Sequence, residues 1–457
     1  MENAAYEVFR FIESRFTKRD SILIVTGKGN NGGDGFAVAR LLHTRGYMVT
    51  LCKLYEPQSK DARHNHRLAK RYGVPFISVK NVDFSHFAVL LDAVTGTGFK
   101  GALEPFIAAL FSKMNRLDVI RIAIDMPSGV NGDNGSGSEE VFQAHHTVTF
   151  EYPKIGHYIG KGREAKGKLH ICPIGIADPS DDYVHTLLSV DEFALKKPAH
   201  DVHKYSRGHV CVIGGSQQYQ GAPVLTAETA LRSGCGYVEI RSVSDIKPRL
   251  PEIVAQRFPD WQHLPITEPM RRGVLAIGMG ASHTDDLLIF MKKLFTEFSG
   301  LKLIIDGDAL YYFNDYFVPG IHTVILTPHR GEFARLINAT ADACKKEPLS
   351  LATDFAKRNN VTIVLKSEDT AVFAPEGRCA LSPYGNPGMA TLGCGDVLAG
   401  VIAGVWASQQ CDAFTASTIG TALHGYAADR IYSEKGAVFS ASDLILEIHG
   451  QINDRMK

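Results

Sequence analysis

Short apolar runs that stop at a glycine or a carboxylate, each followed by a polar turn and then a segment of helical period, recur along the whole chain. Ser21-Ile-Leu-Ile-Val-Thr-Gly27 is a short buried strand, and Phe36-Ala-Val-Ala-Arg-Leu-Leu-His43, after a glycine-rich turn, has helical spacing. Strand-like runs return at Val49 to Leu54, Phe87 to Asp92, Val119 to Asp125 and Thr147 to Phe150. Strands that are apolar throughout, with helices between them, predict an open parallel α/β sheet covered on both faces. A second series starts at His209-Val-Cys-Val-Ile213, with Pro223 in the first turn of the next helix, and has strands ending at Gly278, Asp306, Thr327 and Lys366. At 457 residues the chain exceeds one hydrophobic core. The polar, proline-containing stretch from Ala177 to Tyr205 reads as the connection, giving domains 1–180 and 181–457.

Composition narrows the partners. Forty-nine basic residues balance 49 acidic ones, so neither nucleic acid nor a charged membrane surface is expected as a partner. No apolar run reaches membrane-spanning length and no apolar signal segment opens the chain. Eight scattered cysteines without a C-x-x-C pair suit a reducing, cytoplasmic setting and exclude a zinc knuckle.

The chemistry concentrates at turns. Asn386-Pro-Gly-Met-Ala-Thr-Leu-Gly-Cys-Gly-Asp396 places glycines before an apolar helix, where unpaired N–H groups and the helix dipole attract anions. A carboxylate there repels an anion, but it can take the proton of a hydroxyl attacking phosphorus; the bland alternative is a helix cap. In the first half, Gly27-Lys-Gly29-Asn-Asn-Gly32 matches the dinucleotide fingerprint, with Glu56 ending the next strand, so a Rossmann dehydrogenase stands as an alternative. The fuller loop to Gly35 is more polar than a pyrophosphate turn needs. Leu91-Asp-Ala-Val-Thr-Gly-Thr-Gly98 and Ile124-Asp-Met-Pro-Ser-Gly129 lie at two further strand ends. Asn31, Asp92 and Ser128 together offer oxygen ligands for a hard cation, and Asp125 is left as a candidate acid/base.

These motifs, in this order, resemble the N-terminal domain of the YjeF family, the NAD(P)H-hydrate epimerases. His203 to Ser216, Gly278-Met-Gly280, Asp306-Gly-Asp-Ala-Leu310, Thr327-Pro-His-Arg-Gly-Glu332, Val364-Leu-Lys366 and the Asn386 to Asp396 turn resemble the C-terminal YjeF domain, the nucleotide-dependent dehydratase. The resemblance implies a Rossmann-like αβα sandwich followed by a ribokinase-like αβα domain. It implies R/S epimerisation of hydrated NADH and NADPH in the first, and dehydration of the S form by phosphorylation and phosphate elimination in the second. Potassium would be held by Asn31, Asp92 and Ser128. Substrate would meet Asn30, Asn31, Gly32, Gly33, Asp34, Gly96, Thr97, Gly98, Phe99, Lys100, Gly101, Ala102 and Asp125 in the first half. In the second it would meet Ala222, Gly280, His329 and Asp396. Lys366, Ser367, Glu368, Asp369, Thr370 and Gly395 would contact ADP or ATP, which brings magnesium. Asp125 and Asp396 are the expected catalytic groups, and the assembly is expected to be a homo-oligomer.

Three departures carry expectations. The helical segment that precedes Met1-Glu-Asn-Ala-Ala-Tyr in the family is absent, so an active dehydratase with a defective epimerase half is the alternative. Leu392 and Cys394 replace the usual small residues in the glycine turn and are expected to alter its packing. Glu368 and Asp369 make the nucleotide loop more acidic than the common version and are expected to weaken nucleotide affinity. Other signals are discounted. Gly162 to Lys168 has P-loop spacing but is followed by Leu169 and a strand. His64-Asn-His66 reads as a solvated helix face, and Cys394 as the filler of a small site despite its place at a helix start. A ribokinase-like small-molecule kinase is a further alternative for the second half.

Overall fold

The computed structural model describes residues 1–177 and 185–456. It forms two compact units, Met1–Asp181 and Asp182–Lys457. The predicted boundary between 180 and 181 lies outside the described residues.

The first unit is built on seven parallel strands: β1 (Ile22–Thr26), β2 (Val49–Lys53), β3 (Phe76–Ile77), β4 (Val89–Ala93), β5 (Ile120–Ile124), β6 (His146–Phe150) and β7 (Lys168–Cys172). They lie in the order β3-β2-β1-β4-β5-β6-β7. Because side chains alternate along a strand, each strand feeds two cores. Ile22, Ile24, Leu51 and Leu91 pack with Ala5, Val8, Phe9 and Ile12, the apolar stripe of α1 (Glu2–Glu13), and with Phe36 and Ala39 of α2 (Asn30–Thr44). Leu23, Val25, Leu90 and Ala123 face the opposite way, onto Ile107 and Phe111 of α4 (Pro105–Asn115). Strand order reverses between β1 and β4, so the crevice at their carboxyl ends is the natural ligand position.

Two expectations are corrected here. The glycine-rich turn before Phe36 is already helix: Gly29 is the cap and Asn30–Gly35 form the first turns of α2. The reason is close packing, since a β-carbon on Gly32 would sit 2.2 Å from the Gly27 carbonyl oxygen. His64-Asn-His66 does lie on a helix, α3 (Lys60–Arg71), but only His64 is solvated. His66 is buried, its ring 4.9 Å from Phe36 and 5.6 Å from Phe76. The stretch with P-loop spacing, Gly162 to Lys168, overlaps the short helix α5 (Gly160–Ala165) and leads into β7, the strand expected after it.

The second unit holds a ten-stranded sheet: β8 (His185–Leu187), β9 (His209–Ile213), β10 (Tyr237–Ser242), β11 (Val254–Arg257), β12 (Val274–Ile277), β13 (Lys302–Ile305), β14 (Thr323–Leu326), β15 (Thr362–Leu365), β16 (Ala371–Phe373) and β17 (Cys379–Leu381). The order is β11-β10-β9-β12-β13-β14-β15-β16-β17-β8, parallel except for β16, which runs against both neighbours. One face is covered by α6 (Gly221–Arg232) and by the helices Cys394–Gln409 and Ala441–Arg455, whose apolar residues join one core. The connection expected as far as Tyr205 is shorter than that. Residues 185–187 form the edge strand beside β17, and Leu188, Val190 and Leu195 are buried in this core. No helix among the described residues is long and apolar enough to cross a membrane.

Candidate active sites in the two units

In the first unit, three strand ends bring the predicted oxygen donors together. Asp92 is the penultimate residue of β4, with its side chain fully buried. Its carboxylate accepts the Ser128 N–H at 2.8 Å, the Ser128 hydroxyl at 2.7 Å and the Val94 N–H at 3.1 Å. Burial pushes its pKa up to about 7 against those hydrogen bonds. Ser128 Oγ also accepts the Thr95 N–H at 2.7 Å, while Asn31 donates from Nδ2 to the Thr95 carbonyl at 2.7 Å. Asn31 Oδ1 is buried without a hydrogen-bond partner. Asn31, Asp92 and Ser128 therefore meet around Thr95, a residue the sequence reading passed over.

Asp125 follows β5 and has a left-handed backbone, with φ 65°. Its Oδ1 accepts Lys154 Nζ at 2.6 Å and the Thr149 hydroxyl at 3.0 Å, and its carbonyl accepts His157 Nε2–H at 2.8 Å. Asp34, one helical turn after Asn31, has its pKa raised to about 7, first by burial and further by Asp125, with the α-amino group of Met1 opposing. Gly96 adjoins both groups: a β-carbon there would stand 3.3 Å from Asn31 Cβ and 3.7 Å from Asp125 Oδ2. Among the other predicted contacts, Gly32 and Gly33 are buried and Thr97 and Phe99 half-buried, whereas Asn30, Gly98, Lys100, Gly101 and Ala102 are exposed. In the sequence, Thr149-Phe-Glu-Tyr-Pro-Lys-Ile-Gly-His157 also resembles the family, with no role attached to Thr149, Lys154 or His157. Glu56, the acidic residue of the dinucleotide fingerprint, is held by Lys53.

In the second unit, Gly393 caps the helix Cys394–Gln409 in the left-handed conformation, with φ 92°. Asp396 falls in its first turn. Thr226 of α6 donates its hydroxyl to the Asp396 carbonyl at 3.1 Å, and buried His424 donates from Nε2 to the Cys394 carbonyl at 3.0 Å. Burial pushes His424 down to about 4, so the imidazole stays neutral. The Asp396 pKa is raised to about 7 by burial and by Asp306, with Lys366 opposing and Asp308 adding to the rise. Lys366 donates to Asp306 Oδ1 at 2.7 Å. Burial alone would lower the lysine, but Asp306, Glu332 and Asp396 outweigh it and keep the ammonium protonated. A β-carbon on Gly395 would lie 3.4 Å from Lys366 Nζ.

His329 caps the helix Arg330–Leu336: its Nδ1 accepts the Gly331 and Glu332 N–H groups, while the Glu332 carboxylate accepts the His329 N–H at 2.7 Å. The imidazole stays exposed. Gly280, with φ 63°, packs against Tyr219 and Ala222, so two predicted substrate contacts are adjacent. The loop from Lys366 to Thr370 is tied internally, with Thr370 Oγ1 donating to the Ser367 carbonyl at 2.8 Å and the Asp369 N–H bonding Ser367 Oγ at 3.1 Å. Glu368 and Asp369 both pair with Arg330, the latter at 3.0 Å. Leu392 is solvent-exposed, whereas the Cys394 thiol is buried and pushed up to about 11, as befits a packing residue. Asp306, Glu332 and Arg330 took no role in the sequence reading. A strand-end carboxylate and a buried lysine seen together were the signal.

A family model described as NAD(P)H-hydrate dehydratase matches residues 210–449, and one described as YjeF-related protein N-terminus matches residues 1–156. The chain is 33% identical to the bifunctional NAD(P)H-hydrate repair enzyme Nnr of Moorella thermoacetica, covering 97% of this chain and 90% of that protein. The chain belongs to the NAD(P)H-hydrate repair family. The same enzyme of Pyrobaculum aerophilum is 31% identical over 97% of this chain and 92% of its own length. Among solved structures, the ADP/ATP-dependent NAD(P)H-hydrate dehydratase of Bacillus subtilis, crystallised with ATP and Mg2+, superposes with TM-score 0.52 at 29% identity. That match covers 58% of this chain and 95% of that one. A ribokinase-like superfamily protein from Enterococcus faecalis gives TM-score 0.54 at 26% identity, covering 61% and 99%.

Proposed function

We propose that this family member repairs hydrated NADH and NADPH with two successive activities. The observation that carries the reading is Asp396, a half-buried carboxylate raised to about 7 in the first turn of a glycine-capped helix and backed by the Lys366–Asp306 pair. A base with that pKa is half deprotonated near neutrality, which suits proton removal from a weakly acidic hydroxyl. Asp396 takes the proton of the C6 hydroxyl as its oxygen attacks the terminal phosphorus of ADP or ATP. The N–H groups after Gly393 and the Lys366 ammonium offset the charge on the transferred group. The new C6–O–phosphate bond then breaks as the ring nitrogen lone pair forms N=C6, and loss of a C5 proton restores the dihydronicotinamide. Asp306 and Glu332, which with Asp396 outnumber the ammonium they surround, suit a magnesium ion arriving with the nucleotide; that ion would neutralise phosphate charge. Ala222, Gly280 and His329 are assigned to the hydrate, and Lys366 to Thr370 with Gly395 to the nucleotide.

The first unit is assigned the epimerase, with Asp125 as the proton-transfer group beside Asp34 and Gly96. Potassium suits the remaining donor set. Asn31 Oδ1 lacks a partner, and the buried Asp92 carboxylate has no lysine or arginine beside it among the described residues. Asn31, Asp92 and Ser128 would hold that ion, whose charge would settle the loop from Thr95 to Ala102.

The test follows dihydronicotinamide absorbance from mixed R and S NADH hydrate with ADP, ATP or no nucleotide. Complete fast recovery with a nucleotide is expected. Recovery of the S portion alone, followed by a slow phase, would identify a defective epimerase half. Absence of any nucleotide-dependent recovery would overturn the dehydratase and favour a small-molecule kinase.

A further inference from the structure

The surroundings of Asp125 form a closed arrangement. Lys154 offers its backbone N–H to His157 Nδ1 at 3.0 Å, and His157 donates from Nε2 to the Asp125 carbonyl at 2.8 Å. Lys154 Nζ then returns to Asp125 Oδ1 at 2.6 Å, while also bonding Thr149 Oγ1 at 2.9 Å and the Phe150 carbonyl at 3.2 Å. All three ammonium protons are thus used. The His157 imidazole has a donor on one nitrogen and an acceptor on the other, which fixes one neutral tautomer. Burial supports that state by pushing its pKa down to about 4. The imidazole is fully buried, whereas the Lys154 side chain remains 24% exposed.

Two features of Asp125 need such a frame. Its φ of 65° lies in the left-handed region, which an L-residue adopts at a cost, so surrounding bonds help to hold it. Its two carboxylate oxygens also differ. Oδ1 accepts from Lys154 and Thr149, whereas Oδ2 lies 3.7 Å from where a β-carbon on Gly96 would stand, beside the loop assigned to substrate.

We propose that Lys154 and His157 are positioning residues that pin Asp125 by its carbonyl and by Oδ1, presenting Oδ2 as the single proton-transfer atom of the first unit. This rests on the assignment of the epimerase to Asp125. In this arrangement the left-handed backbone turns the carboxylate toward Gly96, His157 holds the carbonyl in place, and the ammonium keeps Oδ1 from competing for the proton. Thr149, on β6, ties the same oxygen to the sheet.

The test uses the full chain and measures kcat and KM for epimerisation of the R hydrate, with S-hydrate dehydration as an internal control. Lys154→Met and His157→Phe are each expected to lower kcat by about 10- to 100-fold with KM within about threefold, because the reacting atom is misplaced while the substrate loop stays intact. His157→Gln, whose amide can donate to the Asp125 carbonyl and accept from Lys154 N–H, is expected to recover most of the loss. Lys154→Arg is expected to recover part of it. If His157→Phe does not fold, the Lys154→Met and Lys154→Arg comparison decides alone. Wild-type kcat in both Lys154→Met and His157→Phe, or failure of both conservative variants to rescue, overturns the positioning roles. Asp125→Asn separates the two readings. If it loses about 100-fold or more while the frame variants do not, Asp125 stands and the frame falls. If it keeps full activity, the catalytic reading of Asp125 falls as well.

Discussion

At the scale of single residues, the proposed chemistry of the second unit turns on one carboxylate, Asp396, whose pKa burial raises to about 7. Asp396→Asn is expected to lower dehydration by about 10³-fold while nucleotide binding, followed by calorimetry, survives. Because the native carboxyl binds its proton up to about pH 7 and the unfolded one only to about 4, the folded state is favoured in acid and loses that advantage as pH rises through 7. The same substitution should therefore raise the melting temperature at pH 8, by a free-energy gain on the order of 1 kcal/mol. Turnover of the wild-type enzyme should fall on the acid side of about pH 7, since Asp396, the proposed base, must be ionised. Lys366→Met should move that acid limb to higher pH, because the ammonium opposes the rise. An unshifted limb in that variant would mean Asp396 is not the group that titrates.

Elements explain both the reach and the limits of the sequence. Runs such as Ile22-Leu-Ile-Val and Val274-Leu-Ala-Ile are apolar at every position, which only a strand buried on both faces tolerates, so β1 and β12 were readable from residues alone. β3 has two residues and β11 is exposed throughout, so neither carries a pattern to read. β16 and β17 are three residues each, and β16 runs against both its neighbours, breaking the alternation that betrayed the others. At the sites, ordered motifs marked Asn31, Asp92, Ser128 and Asp396. Lys154 and Arg330 escaped because their importance lies in partners 29 and 38–39 residues away. Glycine meant different things in different elements. On the helix Cys394–Gln409, β-carbons at Gly400 and Gly404 would meet the Thr226 and Ala230 carbonyl oxygens at 2.5 and 2.6 Å. Gly400→Leu should therefore force that helix away from α6, costing about 1–3 kcal/mol in thermal unfolding and displacing Asp396 enough to reduce dehydratase kcat.

For the whole molecule, the two activities are linked through a shared pool of hydrate. Asp125→Ala should leave S-hydrate dehydration at its wild-type rate and make recovery from an R/S mixture biphasic, the slow phase equalling uncatalysed epimerisation. A single fast phase in that variant would refute the division of labour. Sequence exchange within the family meets a different constraint. Arg330 opens the helix Arg330–Leu336 of the second unit, and Glu368 and Asp369 lie on the loop from Lys366 to Thr370, where both carboxylates pair with Arg330. Replacing the acidic loop by a glycine-containing version would remove both carboxylates that pair with Arg330, and replacing Arg330 would remove the guanidinium they share, beside the loop proposed to contact the nucleotide. The three positions therefore behave as one heritable cassette: chimeras that carry all of them should keep the parental nucleotide KM, and those that split them should not.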